Sequence, residues 1–170
     1  MQNEIDFTKV TRQPIDADSK SALGTQAVRF LRSFAWCADV LELYEGILEP
    51  DIVGVFLCKI RPARPEVDEW LWVIVGDLPP AYLVTDEAPN PACALDGYIA
   101  LMRDWVKAAK RGDPVDRLIP VNAPPTPEYA TMLDSRLRIL SDFLAEEFVD
   151  DLKAGAGRAR ASDGRRDSLR

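Results

Sequence analysis

Trp70-Leu-Trp-Val-Ile-Val-Gly-Asp-Leu-Pro-Pro-Ala-Tyr82 is the stretch whose reading decides the fold. Its first six residues are apolar and mostly β-branched or aromatic, the composition of a strand buried on both faces. Gly76 and Asp77 end the run, and Pro79 and Pro80, lacking an amide proton, cannot extend a ladder. Upstream, Ile52 to Ile60 is a second β-type run, apolar on both parities apart from Lys59. Between the two, Pro62 to Glu69 is too short for a helical crossover, so the strands are expected to pair antiparallel. Ala81 to Thr85 offers a short third strand at an edge.

Helical spacing surrounds this centre. From Ser19 to about Gly46 one apolar stripe runs through Ala27, Phe30, Leu31, Phe34, Cys37, Ala38, Leu41 and Tyr44, and a second through Trp36, Val40, Leu43 and Ile47. The pattern predicts a long first helix covered on more than one side. Asn90-Pro91 places a capping side chain before proline at the first helical position, and the stripe Leu95, Tyr98, Ile99, Met102, Trp105, Val106 and Ala109 carries a second helix to Gly112. Thr126-Pro127 repeats the signature. A third helix is expected to reach about Leu152, with Tyr129, Met132, Leu133, Leu137, Leu140, Phe143, Leu144 and Phe148 on one face. The apolar residues of the intervening 113–125 connection, Val115, Leu118, Ile119 and Val121, predict that it lies against the body.

The resulting plan is α+β: a small antiparallel sheet of two to three strands covered by three helices, in the order α-β-β-(β)-α-α. Residues 1–18 read as a loosely held arm with Ile5, Phe7 and Ile15 as docking points, 19–152 as one domain, and 153–170 as a disordered basic tail. The segment Trp72-Val-Ile-Val-Gly-Asp-Leu-Pro-Pro-Ala-Tyr82, with a strand before it and an Asn-Pro helix after it, resembles a pattern in small uncharacterised bacterial proteins classed as domains of unknown function. That resemblance spans residues 36 to 111 and implies no activity, substrate or catalytic residue.

Composition narrows the chemistry. The chain has no histidine, which removes the commonest general base, the usual partner of a nucleophilic Ser or Cys, and the commonest transition-metal ligand. Cys37, Cys58 and Cys93 show no zinc or redox spacing and read as reduced thiols. The longest apolar run, Trp70 to Val75, is far short of a membrane span, and the N-terminus lacks the features of a signal peptide, so a cytoplasmic protein with no membrane partner is expected. Net charge is −7. From Lys153 onward six basic residues face Asp163 and Asp167, giving that segment +4 and leaving −11 on the rest. Such a body is a poor binder of nucleic acid and a better match for a basic protein.

Three functions are compatible with these residues. Glu42, Glu45, Glu49 and Asp51, expected at the end of the first helix, and Glu146, Glu147, Asp150 and Asp151, at the end of the third, would oppose their helix dipoles; acidic groups placed against local stability suggest a surface for a basic partner. The leading expectation is therefore a non-catalytic interaction domain without cofactor, in its most concrete form an immunity or antitoxin type of inhibitor. An alternative is a carboxylate-based, metal-dependent hydrolase using Asp77 with Asp86 or Glu87. Another is a small-molecule sensor with a cleft lined by Trp70, Trp72, Tyr82 and Trp105. Cys93, near the third position of the second helix, is a candidate nucleophile beside its simpler reading as a buried thiol.

Overall fold

The two central β-type runs pair antiparallel. In the computed structural model, which describes residues 4–15, 22–86 and 88–155, they are β3 (Val53–Pro62) and β4 (Trp70–Gly76), with Leu57 opposite Trp72 and Val53 opposite Gly76. They are the middle of a five-stranded antiparallel sheet of order β1-β2-β3-β4-β5, completed by β1 (Thr11–Gln13), β2 (Cys37–Glu49) and β5 (Ala81–Val84). The helices are α1 (Ala22–Arg32), α2 (Pro91–Arg111) and α3 (Pro127–Glu147).

Helices cover both faces of the sheet, which is why β3 and β4 are apolar on both parities. Phe56, Cys58, Ile60, Leu71, Val73 and Val75 pack with Ala27, Val28 and Leu31 of α1. Val55, Leu57, Trp72 and Ile74 pack on the opposite side with α2 and α3. Trp72, fully buried, donates its indole N–H to the Ala88 carbonyl at 2.8 Å.

The expected sheet of two to three strands is corrected to five, chiefly because the second half of the expected first helix is β2. The helix ends at Arg32. Register shifts between Cys37 and Asp39, Val40 and Glu42, and Glu45 and Ile47 each insert one extra residue opposite β3. Each bulge lengthens the strand's two-residue period to three. Cys37, Val40 and Leu43 therefore face α1 at three-residue intervals, a spacing that imitates helical periodicity. The segment expected as a loosely held arm supplies the fifth strand, for Thr11–Gln13 pairs with Leu43–Glu45. Ahead of β1, a 3-10 turn at Phe7–Lys9 sets Phe7 edge-on to Tyr44 and Trp70, at centroid distances of 5.8 and 5.4 Å. Ile5 and Ile15 pack against the two cores.

Both cap signatures form. Asn90 accepts from the Cys93 amide at 2.9 Å, and Thr126 accepts from the Tyr129 amide at 3.4 Å. Gly112 closes α2 in the left-handed region at φ 75°. Val115, Leu118, Ile119 and Val121 lie against the core as their composition predicts. On α3 the buried face is narrower than expected: Ala130, Leu133, Leu137, Leu140 and Leu144 are buried, whereas Tyr129 and Met132 are exposed. After a break at Phe148, residues 149–155 are again helical; the rest of the expected tail lies outside the described residues.

Asn90 joins this last segment to α2. It is buried, and besides capping the helix it donates to the Asp151 carbonyl at 3.0 Å. Asn90→Ala removes both bonds, and a loss of about 2 kcal/mol is expected from the missing cap and the stranded carbonyl. Asn90→Asp keeps the cap but turns an acceptor toward the Asp151 carbonyl. Denaturant midpoints should therefore show both variants less stable than the parent; an aspartate variant as stable as the parent would show that the bond to Asp151 contributes nothing.

Candidate functional site

One end of the sheet gathers residues that the sequence leaves far apart. The β2–β3 turn, Pro50-Asp51-Ile52, sits beside the exit of β4, and the Asp77 amide donates to the Ile52 carbonyl at 3.0 Å. Asp51 occupies the left-handed region at φ 64°, where aspartate is among the few tolerated side chains. Gly76 has φ 141°, and a Cβ there would run into the Ile52 carbonyl oxygen. The start of α1 comes in from above, close enough that a Cβ at Gly54 would lie 3.3 Å from that of Leu23.

These pieces enclose a cleft of about 560 Å³, lined by Gln13, Ala22, Leu23, Gln26, Glu45, Leu48, Pro50, Asp51, Gly76 and Asp77. Its volume is in the range of ligand-binding clefts. Among the described residues, half of the lining is apolar or glycine, and the rest is two amides and three carboxylates, with no lysine or arginine. Gln13 donates to Glu45 at 3.1 Å. Asp77 turns outward to Arg136 of α3, which approaches the same carboxylate oxygen at 3.2 and 3.3 Å through two nitrogens. On the other side of that ion pair lies a smaller cleft of about 210 Å³, lined mainly by Leu78, Pro79, Trp105, Val121, Tyr129 and Met132.

The expected acidic clusters divide. Glu45 and Asp51 line the cleft. Glu42 is neutralised from within: Arg12 stands 3.3 Å and Lys59 3.6 Å from its carboxylate, and the Tyr44 hydroxyl donates to it at 2.9 Å. Burial and that bond to Glu42 push the Tyr44 phenol up. Asp151 pairs with Lys9 at 3.0 Å, and the carboxylate holds the ammonium above its ordinary value. Glu49 is half-buried on β2, while Glu146, Glu147 and Asp150 are exposed. The dipole argument applies only to Glu146 and Glu147 in the last turn of α3; the first cluster sits on a strand and a turn, where there is no helix dipole to oppose.

Two other expectations are corrected by placement. Asp77 follows the end of β4, whereas Asp86 follows β5, whose Val84 pairs with Leu71 at the start of β4. The two aspartates thus stand at opposite ends of the sheet, separated by roughly 20 Å of strand. Glu87 lies outside the described residues. No group of three or more metal-binding side chains occurs among the described residues. The four aromatics do not share a cleft either. Trp72 is buried under α2, Tyr82 meets Phe34 and Trp36 edge-on on the α1 side, Trp70 lies by Phe7, and Trp105 lines the smaller cleft.

Cys93 is not activated by its place at the helix start. Burial, then the negative charge of Asp96, pushes its thiol up, outweighing the hydrogen bonds with Asn90 and Gly155 that lower it, and its Sγ lies 3.4 Å from the Asp151 carbonyl. Burial likewise raises the Cys58 thiol and the Tyr98 phenol, whose hydroxyl donates to the Pro79 carbonyl at 2.6 Å.

Gln13, Gln26 and Arg136 are the site residues that sequence reasoning missed. No local signal marks them, since each acquires its place through contacts distant in the chain. Among the described residues no helix is long and apolar enough to cross a membrane. Comparison with the models of known protein families, with curated proteins and with solved structures gives no match to this chain.

Proposed function

We propose that this protein is a non-catalytic interaction domain whose acidic cleft receives a basic segment of another protein. The observation that carries the reading is the lining: Glu45, Asp51 and Asp77 stand with the apolar residues Ala22, Leu23, Leu48 and Pro50, without a cationic side chain among the described lining residues. A lysine or arginine side chain matches that surface, its methylene stem on the apolar residues and its head among the carboxylates. Carboxylates spread around a space suit a guanidinium or ammonium better than a small divalent ion, which needs oxygens at one point. In its most concrete form the protein is a bacterial cytoplasmic inhibitor of the immunity or antitoxin type, masking a basic nuclease-like toxin. The acidic body also favours encounter with such a partner through long-range attraction.

Calorimetric titration with an arginine hexapeptide tests this directly. Saturable one-to-one binding is expected at low salt, weakening as salt rises. Glu45→Gln combined with Asp51→Asn, which preserves shape and tolerates the left-handed turn, should weaken it about ten-fold by removing two charged acceptors. Equal affinity in the parent and the double variant would overturn the proposal, as would no saturable binding.

A further inference from the structure

We propose that in the free protein the acidic cleft is occupied by the chain's own arginine-rich segment, residues 158–170, which a basic partner must displace. The inference rests on the reading of the cleft as a receptor for basic groups. Three observations support it.

First, the charges match. Residues 156–170 carry five arginines against Asp163 and Asp167, and the cleft offers Glu45 and Asp51, beside the Asp77 that Arg136 holds, with no cation among its described lining residues.

Second, the segment starts at the strand that carries part of the cleft. Lys9, which holds Asp151, lies two residues before Thr11, and Thr11 is opposite Glu45. On the other side, Gly155 packs so tightly on Cys93 that a Cβ would meet the sulfur, and Pro91, two residues earlier in the same helical turn, leaves no room for a Cβ at Gly46, the neighbour of Glu45. Both routes bring residues 151–155 to β2 on its α2 face, whereas Leu23 and Leu48 of the cleft pack on the α1 face, so the segment reaches the cleft around an edge of the sheet.

Third, the length suffices. The fifteen residues from Gly155 to Arg170 span up to about 50 Å, enough to round the sheet edge. Tethering gives the arginines a local concentration of order millimolar, so a few charge-assisted bonds are enough to keep the cleft filled.

The test uses the full chain with Arg158, Arg160, Arg165 and Arg166 changed to Gln. Neutralising the segment should move the backbone amide resonances of Gln26, Glu45, Leu48 and Asp51, and should tighten binding of the arginine hexapeptide about ten-fold by removing an intramolecular competitor. Unmoved amides together with an unchanged Kd overturn the inference while leaving the basic-partner reading intact. Shifts that disappear on dilution assign the contact to a second copy and overturn it as well. Failure of the hexapeptide to bind even the neutralised chain removes the receptor reading, and this inference with it.

Discussion

Gly76→Ala is expected to lower stability by about 3 kcal/mol or more, from a strained backbone plus a steric collision. The two contributions are separable. At φ 141° an L side chain is strained whatever the space around it, and here the space is taken by the Ile52 carbonyl oxygen. Moving that carbonyl disturbs the Asp77 amide bond to it and the β2–β3 turn that carries Asp51. Thermal unfolding should show a fall in Tm of about 6 to 12 °C. Gly112→Ala supplies the control, because Gly112 also has positive φ, at 75°, but nothing lies within 4 Å of its Cβ position. It should lose only about 1 kcal/mol, the left-handed penalty alone. Equal losses at the two sites would show that the contact with Ile52 is unimportant. The alanine at position 76 should also weaken hexapeptide binding, since both cleft aspartates depend on that junction.

The other large effect is expected at Trp72. It is fully buried between Leu57 and Leu83 of the neighbouring strands, on the face that α2 covers. Trp72→Ala leaves a cavity at the centre of the sheet and should cost about 4 kcal/mol. Trp72→Phe keeps most of the apolar volume but strands the Ala88 carbonyl, itself in a buried residue, at a cost of about 1 to 3 kcal/mol. Urea denaturation of both variants separates packing from hydrogen bonding. Trp72→Ala within about 1 kcal/mol of the parent would contradict its place in the core.

The misreading of β2 shows where sequence patterning fails in this protein. Cys37 to Glu49 is rich in Leu and Glu, residues that favour helices, and its buried positions recur at helical intervals. Nothing within those thirteen residues distinguishes a helix from a strand with three bulges. What decides is β3, already apolar on both parities, whose edge needs a partner for its backbone groups. The same error hid the site. On a helix Glu45 and Leu48 are a three-residue pair on a surface; on the bulged strand they face the start of α1 and become two walls of a cleft. Arg136 was equally illegible, since its partner Asp77 is 59 residues away in the chain.

Local chemistry determined what could be read from the sequence alone: the buried β3 and β4 and their antiparallel pairing, the proline-capped starts of α2 and α3, the stop at Gly112 and the break at Gly76. Each follows from short-range sterics, missing amide protons or uninterrupted apolarity, which neighbours in sequence impose. Tertiary structure alone decided that Cys37–Glu49 is extended, that Thr11–Gln13 joins the sheet, and which of the eight acids are neutralised and which line a cleft. The physical reason is that ladder hydrogen bonds, ion pairs and enclosed space depend on groups brought together from distant parts of the chain.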